Sequence, residues 1–168
     1  IVEDNSDSLL TDSETFTLTV NAVNDTPILT FIGDQETNED EDLTIDLSAS
    51  DVDIDENGQT LTFSAVSSDE SLVMVSTTTD EGDGTAGTLT FDVLAEQNGS
   101  AQITVTVTDS EEATDSEVFT LTVNAVNDTP ILTEIGDQVT DEDTDFTIDL
   151  SALDVDIDEN NQTLTYSA

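Results

Sequence analysis

The chain has 168 residues, of which 41 are Asp or Glu and none is Lys, Arg or His, for a formal net charge of -41. No side-chain salt bridge can form. Nucleic acid is excluded as a partner and an anionic membrane surface is disfavoured, because both are held by basic side chains. Every carboxylate must therefore be solvated, hydrogen-bonded, protonated or bound to a cation.

Cysteine is absent, so disulfides cannot hold the fold. No apolar run approaches the roughly 18 residues of a membrane span, so this segment makes no direct membrane insertion. Strong acidity with few aromatics is a signature of disorder. Here, however, 35% of residues are hydrophobic and lie in alternating, strand-length runs, which points to a folded chain.

Comparing the chain with itself shows a repeat. Residues 21–65 return at 124–168, an offset of 103 residues with 8 differences over 45 positions. A unit of this size is a whole domain rather than one turn of a solenoid. The organisation expected is the C-terminal strands of a preceding repeat (1–23), one complete repeat (24–126) and the N-terminal half of a following one (127–168). On that expectation the chain is a window on a longer array.

In chain order, the complete unit opens with "ILTFI" (28–32), followed by Leu43, Ile45 and Leu47 alternating with Thr44, Asp46 and Ser48. Next come Leu61, Phe63 and Ala65, then "SLVMVS" (71–76), then Leu89, Phe91 and Val93. Ile103, Val105 and Val107, and finally Phe119, Leu121 and Val123, complete the series. A period of two puts one face in a core and the other in water. About seven short strands in some 100 residues, with no helical period, predict an all-β chain of tandem seven-stranded antiparallel sandwiches. "DEGDGTAG" (80–87) and "EQNGS" (96–100) read as hairpin turns. Phe31 is Glu134 in the second copy, which predicts a solvated position.

Between the second and third strands lies "DVDIDENGQ". If Asp51, Asp53 and Asp55 are extended, their carboxylates share one side about 7 Å apart. Each neighbouring pair then repels by about 0.6 kcal/mol in water and about 2.4 kcal/mol at an effective dielectric of 20. A divalent cation reverses the sign of that contribution. With oxygen ligands only, calcium is favoured first and magnesium second. The run is not an EF-hand loop, because Glu56 stands where that motif needs Gly and Thr62 where it needs Glu. In the second copy the same run carries Asp154, Asp156 and Asp158.

"VNDTP" opening the unit, the acidic "NEDED" (38–42), "SASDVDIDENGQTLTFSA" (48–65) and "ITVTVTDSEEATDSEVFTLTV" (103–123) together resemble the tandem cadherin-like and bacterial Ig-like repeats of large bacterial surface proteins. The resemblance implies calcium at the junction between successive domains, one or two ions at each. Carried over, it implies ligands at Asn24, Asp25, Asp51, Asp53 and Asp109 for one junction and at Asn127, Asp128, Asp154 and Asp156 for the next. Asp4 takes the part of Asp109 for the preceding unit, and Glu39 and Glu142 fall where such repeats carry a Glu facing the opposite junction. The triplet that would supply further acids aligns near Ala95, Glu96 and Gln97, leaving one displaced carboxylate.

The function this implies is a calcium-stiffened extracellular spacer, on an adhesin or surface fibre, whose partners are its neighbouring repeats. The alternative is a subunit of a self-assembling filament or sheath with lateral contacts between copies. Catalysis is not expected, since no nucleophile has an evident base beside it.

Overall fold

The computed structural model describes residues 2–3, 11–157 and 162–167. Its strands are β1 (Val2–Glu3), β2 (Thr11–Asp12), β3 (Ile28–Leu29), β4 (Gln35–Asn38), β5 (Leu43–Ser50) and β6 (Thr62–Ser67). They continue with β7 (Val73–Thr79), β8 (Ala86–Val93), β9 (Gly99–Thr108), β10 (Thr114–Asn124), β11 (Ile131–Leu132) and β12 (Ala152–Leu153). A five-residue helix, α1 (Asp53–Asn57), follows β5, and a 3-10 turn spans Val155–Ile157.

Two four-stranded sheets form a sandwich, one in the order β3-β5-β8-β7 and the other β4-β10-β9-β6. The alternation sends Leu47, Leu89, Phe91 and Val73 of the first sheet inward against Ile103, Val105, Val107 and Leu121 of the second, all buried. Phe91 meets Phe119 edge to face, with ring centroids 6.3 Å apart. Phe31 is exposed, as its replacement by Glu in the second copy predicts.

Three local expectations are corrected. The run 28–32 is not one strand: Ile28–Leu29 pairs antiparallel with β5, and the chain then changes sheets so that Gln35–Asn38 pairs parallel with β10. The switch is made at Gly33, whose φ of +74° suits a residue without a Cβ, and its counterpart Gly136 has a φ of +68°. Residues 96–100 carry the chain from one sheet to the other rather than closing a hairpin, whereas 80–85 do join the paired strands β7 and β8. Finally, Asp51 to Asp55 are not extended. Asp53–Asn57 form α1, closed by left-handed Gly58, whose N–H donates to the Ile54 carbonyl at 3.1 Å. Side chains two apart on a helix point to opposite sides, so Asp53 is buried and Asp55 exposed.

Carboxylates do the stitching that cations cannot. Asp115 Oδ2 accepts the Leu29 N–H at 2.9 Å, and Glu117 accepts two donors, Ile32 N–H at 2.8 Å and Gly33 N–H at 3.0 Å. Asp34 returns the favour by accepting the Thr120 N–H at 2.8 Å. These are charge-assisted bonds, stronger than neutral ones, and they fasten the sheet-switching segment to β10. Glu117→Ala leaves two backbone donors without acceptors, so a loss of about 1–3 kcal/mol is expected in urea unfolding. A variant as stable as the parent would show that water replaces the clamp at no cost.

The second copy repeats this geometry where it is described. Thr30 N–H donates to Ser48 O and Thr133 N–H to Ser151 O, both at 2.9 Å. The Ser48 hydroxyl donates to Thr30 and the Ser151 hydroxyl to Thr133, both at 2.8 Å.

Candidate metal centre

The end of β5 and α1 form one pole of the sandwich. The Asp25 N–H donates to Asp53 Oδ2 at 2.7 Å, and the Asp53 N–H donates to Asp51 Oδ1 at 2.9 Å, so the linker is tied to the acidic loop. Beside it runs a side-chain relay: the Gln59 amide donates to Asn24 Oδ1, and the Asn24 amide donates to Asp109 Oδ2 at 2.9 Å. Asp109 Oδ1 accepts the N–H groups of Glu111 and Ala113, each at 2.8 Å. Burial pushes the Asp109 carboxyl up, but the bonds from Asn24, Ala113, Glu111 and Glu112 outweigh it, and the group is held below the ordinary carboxylate range. Both of its oxygens are therefore engaged within its own unit.

The following unit has the same pole. The Asp128 N–H donates to Asp156 Oδ2 at 2.6 Å, the Asp156 N–H to Asp154 Oδ1 at 3.1 Å and the Gln162 amide to Asn127 Oδ1 at 2.6 Å. Here, however, the opposite pole of the complete sandwich also arrives. Glu39, 2% exposed, accepts the Val126 N–H at 2.7 Å through Oε1 and the Asn98 amide at 3.4 Å through Oε2. Glu39, Asp128 and Asp156 each offer a carboxylate oxygen, all within 4.8 Å of one another. Asp40, Glu96 and Asp128 form a second group at the same closeness, with Asp128 common to both.

Asp40 and Glu96 were not among the expected ligands. Both sit in left-handed backbone, at φ 62° and 57°, an uncommon conformation outside Gly that re-aims the side chain. The Glu96 N–H donates to Asp40 Oδ1 at 3.2 Å. Their signal in the sequence was slight: Asp40 is one acid among several in "NEDED", and Glu96 is the displaced acid near the expected triplet. Gln59 was also missed, although the retention of Gln162 in the second copy pointed to it. Of the remaining expected residues, Asp55 and Glu142 are exposed, and Asp4 and Asp158 lie outside the described residues.

The donors fit a hard divalent cation. Calcium takes oxygens at 2.3–2.6 Å, so ligands of one ion lie up to about 5 Å apart, which the 4.8 Å groups satisfy. Among the described residues Asp51 Oδ2 and Asp128 Oδ2 are buried without a hydrogen-bond partner, a costly state for a carboxylate oxygen. No Lys, Arg or His exists to supply it.

The crowding is visible in the acidity of Glu96. The hydrogen bond it shares with Asp128, followed by desolvation and the charges of Asp128, Asp40 and Glu39, pushes its carboxyl from 4.5 up to about 6. A raised acid in the folded chain favours folding below pH 4.5, and that contribution is lost as pH rises through about 6. A divalent cation held here would have to displace this proton, so its binding would weaken as pH falls below about 6 and would release protons. Calorimetry at pH 6 in two buffers of different ionisation enthalpy measures that release. Identical heats in both would contradict it.

Among the described residues no helix is long and apolar enough to cross a membrane. Comparison with solved structures finds likeness to surface layer protein SbsC domains 4 and 5, at 17% identity and a TM-score of 0.42 over 61% of this chain and 53% of that one. The chain thus spans about half the length of that structure. A variant of the SrpA adhesin from Streptococcus sanguinis aligns at 10% identity and a TM-score of 0.46, over 62% of this chain and 58% of that one. The BIgI domain of beta protein from S. agalactiae aligns at 18% identity and a TM-score of 0.41, over 60% of this chain and 99% of that one. No curated protein matches the chain. The bacterial Ig domain family matches residues 24–122, from the linker Asn24 into β10. With more than half of its length so matched, the chain belongs to the bacterial Ig domain family.

Proposed function

We propose that the chain is a spacer segment of an extracellular bacterial surface protein, in which calcium bound between successive units fixes the angle between them. One observation carries this reading: Glu39 from the complete sandwich and Asp156 from the following unit, both buried, meet linker Asp128 with oxygens within 4.8 Å, in a chain without a single basic side chain. Asp40 and Glu96 add a second group around the same Asp128. Without a cation these charges repel and loosen the junction; with one they draw two units together. The units supply length, the filled junctions supply stiffness, and no catalytic step is assigned.

Extracellular modules of this kind hold calcium with dissociation constants of about 0.1–1 mM. One site at 100 times its constant adds about 2.7 kcal/mol to folding. A calcium titration of the chain followed by thermal melting, reversed with chelator, is expected to raise the melting temperature at millimolar calcium and lower it again. An unchanged melting temperature would sink the metal reading. Scattering on the same samples is expected to show a narrower distribution of shapes with calcium.

A further inference from the structure

The carboxylates are not spread evenly over the sandwich. β6 and β9 contain none. Those of β10, Asp115 and Glu117, accept hydrogen bonds from the segment Leu29 to Gly33 instead of standing on the outer face. The outer face of these three strands is therefore uncharged along its whole length. In register across it lie Val66, Thr104 and Val118, and in the next row Ser64, Thr106 and Ser116. Val66 is 63% and Val118 56% exposed. Among the described residues acids appear at the margin of this face: Asp34 and Glu36 beside β10, Glu111 and Glu112 in the β9–β10 turn, and Asp69 and Glu70 just after β6, where Glu70 and Val66 line one pocket.

Like charges facing each other across strands destabilise a sheet, which accounts for some of this. It does not explain all of it, because the outer face of the other sheet carries Asp46 and Asp92. Where the strand recurs earlier in the chain, Val118 is replaced by Thr15, still uncharged.

We infer that the outer face of β6, β9 and β10 is a lateral contact surface for a second copy of this chain. Charge selects that occupant. Two molecules of net charge -41 that meet elsewhere oppose carboxylates at short range, whereas this face lets sheet lie on sheet about 10 Å apart with the acids left at the rim. A face-to-face pair related by a two-fold axis is self-complementary.

The size sets the strength. The ten residues of β9, at about 3.3 Å each, by three strands about 4.8 Å apart give roughly 480 Å² per partner. That is below the ≈ 800 Å² of a standard interface, so one unit makes a weak contact, which repeats in one chain multiply by raising the effective concentration. Because the rest of the surface repels, association must strengthen with salt, the Debye length shrinking from about 30 Å at 0.01 M to about 8 Å at 0.15 M. The inference rests on this face alone and stands whether or not the junctions hold calcium.

Sedimentation equilibrium of the chain at up to about 1 mM protein, in 0.01, 0.15 and 0.5 M NaCl, tests it. A monomer–dimer equilibrium tightening at least tenfold across that range is expected. Thr106→Glu, in the middle of the face, should weaken it at least tenfold, and Ser76→Glu, exposed on the other sheet, should leave it within about twofold. Circular dichroism melting checks that each variant folds, and Ser64→Glu replaces Thr106→Glu if that variant does not. A monomer at every salt concentration, or equal weakening by Ser76→Glu, overturns the inference.

Discussion

Asp128→Ala is expected to reverse its effect on stability with calcium. In chelator the variant relieves repulsion among Glu39, Asp156, Asp40 and Glu96, so it should melt at or above the temperature of the parent. At several millimolar calcium it should melt well below. Asp128 is common to both groups, and its Oδ2 is one of the buried oxygens without a hydrogen-bond partner among the described residues. Its loss should weaken calcium at this junction on the order of 100-fold, about 2.7 kcal/mol. Its N–H bond to Asp156 is a backbone bond and survives the substitution. Asp25→Ala provides the contrast: among the described residues no group of three carboxylates surrounds Asp25, so its calcium-dependent loss should be smaller. If Asp128→Ala lowered the melting temperature equally in chelator and in calcium, its carboxylate would be a structural acceptor rather than a ligand.

Phe91→Ala should be the most damaging single change in the sandwich. Phe91 is fully buried between the sheets and packs its ring against the edge of Phe119. Truncation opens a cavity and removes the aromatic contact, at a cost of about 3–5 kcal/mol. Against a typical domain stability of about 5–15 kcal/mol, that corresponds to a fall of roughly 12–40 °C in melting temperature. Val118→Ala, on the outer face of β10, should change stability by less than about 0.5 kcal/mol. Melting both variants in saturating calcium separates core packing from metal binding. Equal small shifts would mean that the two sheets are not packed on Phe91.

Much of the candidate site was legible because it is local. Asn24–Asp25 and Asp51–Asp53 are close in sequence to the turns that present them, and the second copy repeats them at Asn127–Asp128 and Asp154–Asp156. The extended reading of Asp51 to Asp55 failed because alternation between Asp and an apolar residue suits a strand and a single helical turn equally over so short a run. Gly58 in the left-handed region and the bond back to Ile54 decided for the turn, which carried Asp55 out to solvent. Asp40 and Glu96 escaped notice for another reason. They are surface acids in separate loops, and only the left-handed backbone at both positions and the approach of the next unit aim them at Asp128.

By itself the sequence determined an all-β chain, the residues that face inward, a unit that recurs at an offset of 103 residues, and an excess of carboxylates that no basic side chain balances. Each of these is a local or compositional property: a period of two, a self-match, an absence of basic groups. Tertiary structure decided which carboxylates meet and which alternating runs are buried. Phe119, Leu121 and Val123 are buried because their strand pairs with β9 and β4. A strand's own residues specify two faces, but strands distant in the chain must cover one of them. By the same reasoning, Glu39, which the family resemblance already pointed at this junction, meets Asp128 and Asp156 only because a second unit is brought against it.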